Sequence, residues 1–367
     1  MMATDPVRPN PIWLTTMRPW LKRGRSPLVV PRLSDMKKLL IIKPEKLGDM
    51  VITLPLIDAI RAAAPGAAID LVASPKGVAV VQDDPRFNRI DLYTKSLVHD
   101  QRMIRAVRRR RYDVTIEMID DDSSTGLLLS QFCSGAAVRI GANKSRYTVY
   151  YDLTTDYHSH PHVHAIDRAL DLGALFGLER DGLSGFAAPY LPAGARERAA
   201  RFLAEHAIGM RPVIAVNVSA GKATRLWADE KYASLLAGVA RFMPEAALVL
   251  ISDPADRNRG ERIIALAEPQ VIHVPEGWTI LDVTALLARA TTVISPDTSV
   301  VHLARAFAVP VVGLYPRPQW MVNRWKPYGQ KIGIVRSDDD GDIADITPEA
   351  VMAAFRDLTR QEKVTDR

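Results

Sequence analysis

From Lys38 onward, short apolar runs of strand length alternate with longer segments of helical periodicity, and the alternation comes in two successive series. No other feature of the chain constrains its fold as strongly. Strands joined by helix-length crossovers pair in parallel, and a parallel sheet needs helices on both faces. The first series opens with the run Lys38–Ile42, a turn at Lys43–Asp49 and a helix predicted from Met50 to Ala64. Its apolar residues Val51, Leu54, Ile57 and Ile60 recur every third position until Pro65-Gly66 stops it. Strands are predicted at Ile69–Ala73 and Asp113–Ile119, and the alternation runs on to about Leu178. Periodicity then weakens, and glycine and proline cluster between Gly182 and Pro192. The second series predicts helices at Arg196–His206, Lys231–Arg241, Arg259–Ala267, Ile280–Ala288 and Ser299–Ala308. Strands at Val213–Asn217, Ala247–Ile251, Val271–Val274, Thr292–Ile294 and Val311–Leu314 interleave with them, and a last helix follows near Pro348–Thr359.

A chain of 367 residues suits two domains of ~150 residues each. The expected organisation is an arm over 1–35, a first Rossmann-like domain over 36–185, a linker at 186–192, a second Rossmann-like domain over 193–346, and a C-terminal helix and tail over 347–367. Doubly wound units of this kind bind ligands beyond the carboxyl ends of their strands, so two of them facing each other predict a central cleft. Neither opening strand is followed by G-x-G-x-x-G, which disfavours a dinucleotide-dependent dehydrogenase.

The net charge of +6 is carried by residues 1–38, the arm and the start of the first strand. Residues 1–38 hold eight bases against Asp5 and Asp35, which leaves the remaining chain neutral. That distribution argues against a nucleic-acid-binding body and for a local contact with something anionic. Six prolines in the first 35 residues forbid a long helix. Trp13, Met17, Trp20 and Leu21 nevertheless fall at roughly helical spacing among Arg18, Lys22 and Arg23, so the arm reads either as a disordered extension or as a short interfacial anchor. One cysteine, Cys133, permits no internal disulfide, no apolar run approaches the ~20 residues of a membrane span, and no h-region marks a signal peptide. The expectation is a cytoplasmic protein that attaches peripherally, through its arm, to the inner face of the cytoplasmic membrane.

Three strand-to-helix turns carry candidate chemistry. In Lys43-Pro-Glu-Lys-Leu-Gly-Asp49, Gly48 permits close backbone approach, and Asp49 is either a helix-start carboxylate or a base for an acceptor hydroxyl. In Ile294-Ser-Pro-Asp-Thr-Ser-Val-Val-His302, Asp297, Thr298 and Ser299 gather at a helix start, where unpaired N–H groups suit a phosphate, and His302 lies one turn further on. In Asn217–Trp227, the residues Ser219, Gly221, Lys222 and Arg225 offer hydroxyl, backbone and cationic groups fitted to a diphosphate. Read singly, each turn is equally well an N-cap or a solvated loop.

Taken together in order, these turns resemble glycosyltransferase family 9, the heptosyltransferases that use ADP-heptose to build the lipopolysaccharide inner core. The resemblance covers Lys37 to about Gly329 and includes Leu47-Gly-Asp49, Thr53-x-Pro55, Pro65-Gly66, Tyr112-Asp113, His164-x-x-Asp167-Arg168, Ser295-x-Asp297-Thr298, His302, Val309-Pro-Val-Val-Gly-Leu-Tyr315 and Trp325-x-Pro327-Tyr-Gly329. It implies a GT-B-like α/β fold, inversion at the anomeric carbon, and no required metal or cofactor beyond the nucleotide-sugar substrate. By the same resemblance Asp49 is the catalytic aspartate, and Asp297, Thr298 and His302 belong to the donor site. Ser219, Gly221, Lys222, Arg225 and Ser299 complete the expected donor set. Lys46, Gly48 and Asp120, with Arg105 and Arg109 from the basic run Arg102–Arg111, are expected to face an anionic glycolipid or glycan acceptor. Arg225 stands where the family often has lysine, and Ser299 and Pro316 where it has glycine, so heptose is the family default and not a reading of specificity residues.

Two other patterns are weaker. His158, His160, His162 and His164 at i+2 spacing could present one face to zinc, and Asp120-Asp121-Asp122 could hold magnesium; an ordinary loop and a polar strand end account for them better. The alternatives to an inverting glycosyltransferase are a nucleotide-sugar epimerase or hydrolase on the same fold, and a non-catalytic nucleotide-sugar-binding protein.

Overall fold

The computed structural model describes residues 18–25, 30, 32–135, 137–268 and 270–365, with side chains as far as residue 360. The first unit is a parallel sheet of β1 (Lys38–Lys43), β2 (Ala68–Ala73), β3 (Arg89–Leu92), β4 (Val114–Glu117), β5 (Val138–Gly141) and β6 (Leu153–Thr154), in the order β3-β2-β1-β4-β5-β6. Its helices are α1 (Leu47–Ala63), the single turn α2 (Pro75–Val78), α3 (Leu97–Arg109), α4 (Ser124–Cys133) and α5 (Ala165–Asp171). Side chains of a strand alternate between faces, and β1 shows the consequence. Leu39 and Ile41 pack with Leu54 and Ile57 of α1, whereas Leu40 and Ile42 pack with Met103 and Val107 of α3 and Leu129 and Cys133 of α4. A strand covered on both faces must be apolar throughout, which is why Leu39–Ile42 reads as a continuous run.

The second unit comprises β7 (Val213–Asn217), β8 (Ala247–Ile251), β9 (Val271–His273), β10 (Thr292–Pro296), β11 (Val311–Tyr315) and β12 (Ile332–Arg336), ordered β12-β11-β10-β7-β8-β9 and again all parallel. Counted from its own first strand, this is the same order as in the first unit. Its helices are α6 (Ala193–Glu205), α7 (Asp229–Phe242), α8 (Arg257–Leu266), α9 (Ile280–Leu287), α10 (Ser299–Ala306), α11 (Gln319–Trp325) and α12 (Pro348–Thr365). The C-terminal helix belongs to this unit by packing: Met352, Phe355 and Leu358 share a core with Ile214, Val216 and Leu236.

Helix α1 departs from the amphipathic pattern of a surface helix. Every residue from Met50 to Ile57 is buried. A helix apolar around its circumference needs cover on all sides, and α1 finds it between the first sheet and α10 of the second unit. The predicted strand Asp113–Ile119 ends two residues early, at Glu117, and Met118 lines the cleft instead. Strand β12 and helix α11 were not anticipated; β12 is a half-buried edge strand whose apolar residues are interrupted by Gly333.

The arm departs further. Trp13 and Met17 lie outside the described residues, but 20–25 are docked on the first unit instead of extending from it. Leu21 is buried with Leu127, Tyr147, Tyr150 and Tyr151. The backbone of Lys22 exchanges hydrogen bonds with the Gln131 side chain, each 3.0 Å. Arg25 binds Asp152 through backbone and guanidinium, and Gly24 lies so close to Tyr151 that a Cβ would fall 1.9 Å from its carbonyl oxygen. A disordered extension is therefore the wrong description of this stretch, because Leu21 has a pocket and the flanking backbone has partners.

Candidate active site

In a sheet of order 3-2-1-4-5-6 the chain reverses direction between strands 1 and 4, and the loops leaving those strands open a crevice. The protein has two such points, β1/β4 and β7/β10, and they face each other.

At the first, Lys43 ends β1 with its ammonium buried. Its Nζ donates to the Met118 carbonyl oxygen at 2.7 Å and pairs with Glu45 at 2.6 Å, tying the two diverging strands together. Burial opposes the charge, but Glu45 and then Asp49 outweigh it and hold the Lys43 pKa above its ordinary value. Asp49 sits in the first turn of α1, whose N-cap is Lys46 with no side-chain cap bond. Among the described residues, no hydrogen bond or ion pair engages the Asp49 carboxylate. Asp49 therefore makes no capping hydrogen bond, though it stands in the first turn of α1 as a helix-start carboxylate would, and the carboxylate opens on a cavity lined also by Thr53, Asp120, Arg168 and Trp325. Asp120 is held from both sides of the cleft: Arg168 of its own unit lies at 3.3 Å, and Arg324 of the second unit donates at 2.9 Å to the carboxylate and 2.8 Å to the carbonyl.

The loop carrying Asp120 rests on a fully buried ion pair. Lys144 Nζ meets Glu117 at 2.7 Å and donates to the carbonyls of Ile119 and Asp121, while Tyr151 donates to Glu117 at 3.0 Å. Burial pushes the Glu117 pKa up, and Lys144 pulls against it. Nothing in the sequence pattern marks this pair.

At the second point the central groups are neutral, with a charged pair beside them. Asn217, which ends β7, donates from Nδ2 to Ser295 Oγ at 3.0 Å, Thr298 Oγ1 at 3.1 Å and the Ser219 carbonyl at 3.1 Å. Thr298 is the N-cap of α10 but makes no side-chain cap bond, so the helix start faces the cleft uncapped. Arg225 reaches across to Asp297, donating to its carbonyl at 2.9 Å and pairing with its carboxylate at 2.9 Å. Burial raises the Asp297 pKa, offset in part by Arg225 and Lys222. Ser219 is engaged in structure, its Oγ accepting from the Asp253 N–H at 2.8 Å. Gly221 and Lys222 are exposed at the rim, as is Lys46 opposite. Arg259, which the sequence reading passed over, anchors the whole Val218–Asp229 loop through the Val218 and Trp227 carbonyls and Asp229.

The two helix starts abut. A Cβ on Gly48 would lie 3.3 Å from His302 Cδ2 and 3.5 Å from Ser299 Cα. His302, expected at the donor, is seated between the halves against Gly48 and Trp325. Burial first, then His164 and Arg225, push its pKa down to about 3. The distant motifs around His164 and Trp325 also meet here. His164 Nε2 is 2.9 Å from the Lys326 carbonyl, its ring lies 4.9 Å from that of Tyr328, and Tyr328 donates to Asp167 at 2.8 Å.

Arg105 and Arg109 are corrections. Helix α3 starts at the cleft end of the sheet and runs away from it. Lys38, at the opposite end of β1 from the cleft, donates to the Arg110 carbonyl at 3.3 Å, so Arg109 lies a full strand length from Asp49. Arg105 sits midway on the solvent side, opposite buried Met103 and Val107. Among the described residues, no group of three or more His, Cys, Asp or Glu side chains converges as a metal would require, the histidine run included.

Two Rossmann-type units with opposed switch points define the GT-B class of glycosyltransferases. Residues 101–352 match the model of glycosyltransferase family 9 (heptosyltransferase), well over half the chain, and the chain belongs to that family. It is 23% identical over 305 residues to a Haemophilus influenzae protein provisionally named a glycosyltransferase, covering 80% of this chain and 86% of that one. Among solved structures, a family 9 glycosyl transferase from Veillonella parvula superposes with a TM-score of 0.76 at 18% identity, covering 90% of this chain and 99% of its own. The ADP-heptose lipopolysaccharide heptosyltransferase II of E. coli gives 0.69 at 20% identity, over 89% and 99%. E. coli heptosyltransferase WaaC with ADP gives 0.68 at 19%, over 88% and 99%.

Proposed function

We propose that this glycosyltransferase moves a heptose from ADP-heptose, with inversion, to a hydroxyl of a lipopolysaccharide-core or related surface-glycan acceptor. The observation that carries the reading is the Asp49 carboxylate, unengaged by the protein and facing the uncapped start of α10 across the cleft. In the proposed step Asp49 takes the proton of the acceptor hydroxyl, whose oxygen bonds to the anomeric carbon as the bond to the diphosphate breaks and the nucleoside diphosphate leaves. The N–H groups at the start of α10, with Lys222 nearby, stabilise the charge that develops on the leaving diphosphate. Arg225 acts through Asp297, holding the loop that presents Thr298 and Ser299. The structures of related enzymes with ADP and with an ADP-heptose analogue make ADP-heptose the first donor to try.

The acceptor is taken to be membrane-borne, so the protein is taken to work at the inner face of the cytoplasmic membrane. Since 20–25 are part of the first unit, the informative truncation removes residues 1–17 and leaves Leu21 in its pocket.

A panel of ADP-, GDP- and UDP-sugars, read by thermal shift and then by transfer to a soluble core acceptor, tests the assignment. A donor at a hundred times its Kd stabilises by about 2.7 kcal/mol. ADP-heptose is expected to stabilise and to be consumed only when acceptor is present. Stabilisation by another nucleotide alone, or consumption without acceptor, overturns the donor or the reaction respectively.

A further inference from the structure

The run Arg102–Arg111 does not serve the cleft, yet the structure gives it an unusual surface. Helix α3 buries Met103 and Val107 against the first sheet, and 100° per residue then places Val98, Arg102, Arg105 and Arg109 in one narrow stripe on the opposite side. All four are exposed. The single acid of the helix, Asp100, is buried, with its carboxylate accepting from Thr94 N at 3.0 Å and Thr94 Oγ1 at 3.1 Å, so it offers the stripe no counter-charge. Among the described residues Arg102, Arg105, Arg108 and Arg109 pair with no acidic group. Exposed arginines elsewhere, such as Arg198, Arg262 and Arg317, do.

At the cleft end of this helix two aliphatic side chains stand in solvent, Leu97 at 76% and Val98 at 61% exposure. The docked arm lies over α4, the neighbouring helix on the same face of the sheet, and adds Trp20 at 74% exposure with Lys22 and Arg23 also exposed. Unpaired cations along a helix, with aliphatic groups at its end and an exposed indole on the arm over the next helix, match an anionic bilayer: phosphates for the arginines, the interfacial layer for the apolar groups. A duplex or an acidic protein would satisfy the charge but leave Leu97, Val98 and Trp20 without use.

We infer that the outer face of α3, together with the docked segment Trp20–Arg25, is the membrane-contact surface of this protein. It holds α3 along the bilayer, with the Leu97–Val98 end nearest the mouth of the acceptor half. The assignment rests on the reading that the acceptor is membrane-borne, and it moves the anchor from the free arm to a folded face.

The test uses the full-length protein and vesicles of phosphatidylcholine with or without phosphatidylglycerol, scored by flotation over a range of salt. The wild type is expected to float with anionic vesicles and to lose them as salt rises. Replacing Arg102, Arg105 and Arg109 together by glutamine is expected to weaken this binding roughly a hundredfold, at ~1 kcal/mol per charge. Leu97→Ser with Val98→Ser is expected to weaken the part that resists salt. Both variants keep donor affinity and transfer to a water-soluble acceptor. Wild-type flotation by the triple variant, or none by the wild type, overturns the assignment. It is equally overturned if the substitutions alter duplex binding or oligomeric state and leave flotation unchanged. If the substitutions abolish flotation but no acceptor ever receives sugar, the transfer reading fails and the surface stands.

Discussion

The two halves of this protein share one strand order and oppose the same structural feature to each other, yet they furnish it with different chemistry. At β1/β4 the polar groups are charged: Lys43, Asp49, Asp120, Arg168, and the buried Glu117–Lys144 pair beneath them. At β7/β10 the centre is an amide and two hydroxyls, Asn217, Ser295 and Thr298, with the Arg225–Asp297 pair beside it. Topology therefore decides where a ligand can sit and says nothing about what happens to it. Charge concentrates in the half assigned proton transfer, and neutral donors with an open helix end in the half assigned a diphosphate.

The largest test of that division is at the two strand ends. Asp49→Asn is expected to lower turnover by ~10²–10⁴ with donor affinity within threefold, whereas Asn217→Ala is expected to act mainly on donor affinity. Steady-state kinetics with calorimetric donor binding distinguishes them, and equal losses of turnover at saturating donor would erase the contrast.

The buried supports should differ as well. Lys144→Met strands the Glu117 carboxylate without its partner and is expected to cost about 3–5 kcal/mol in urea unfolding, most of it recovered by adding Glu117→Leu. Asn217→Ala, which orphans only neutral groups, is expected to cost about 1–3 kcal/mol. The reverse ranking would mean that charge is not what sets the first half apart.

A smaller effect concerns the seam between the halves. His302, held at about 3, stays neutral in the folded chain over most of this range, whereas the unfolded chain protonates it below ~6.5; burial lowers the His164 pKa in the same direction. Unfolded protein then binds a proton that the folded protein refuses, so this contribution to stability is constant above about pH 6.5 and falls as the pH drops toward 3. At pH 5 the His302 share is about 2 kcal/mol. Urea midpoints at pH 7 and 5 should separate in the wild type and converge partly in His302→Gln; an unchanged separation would exclude this histidine as the source.

Gly48→Ala is the mildest. A methyl 3.3 Å from His302 obliges the seam to open by a few tenths of an ångström. About a tenfold drop in kcat is expected, with stability unchanged or raised by up to ~1 kcal/mol, since alanine favours the helix. Full activity would show that close approach of the halves at Gly48 is dispensable.

Most of the architecture was legible because both sheets are buried on two faces, so strands such as β1 and β8 carry unbroken apolar runs. Val213–Asn217 and Ala247–Ile251 were read to the residue for this reason. Edge and end elements were not: β12 is half-buried and Gly333 interrupts its apolar residues. Of the candidate site, the turns holding Asp49, Arg225 and Asp297–Ser299 could be read, since each follows an apolar strand and opens a helix. Arg105 and Arg109 were misplaced because a charge run gives a helix face and not its direction relative to the cleft. His164 and Trp325 were visible as parts of motifs, but their meeting was not.

Local patterning by itself determined the two-unit α/β plan, the strands β1, β2, β4 and β7 to β11 and the turns that end at their carboxyl edges, because hydrophobic period and turn residues are properties of neighbours along the chain. Tertiary structure alone decided that the Asp49 carboxylate stays unengaged and that Asp120 is shared between Arg168 and Arg324. It also decided that Leu21 docks the arm and that His302 lies on the seam. Each of these depends on groups tens to hundreds of residues apart, whose distance is set by how the two sheets pack and is written in no local stretch of sequence.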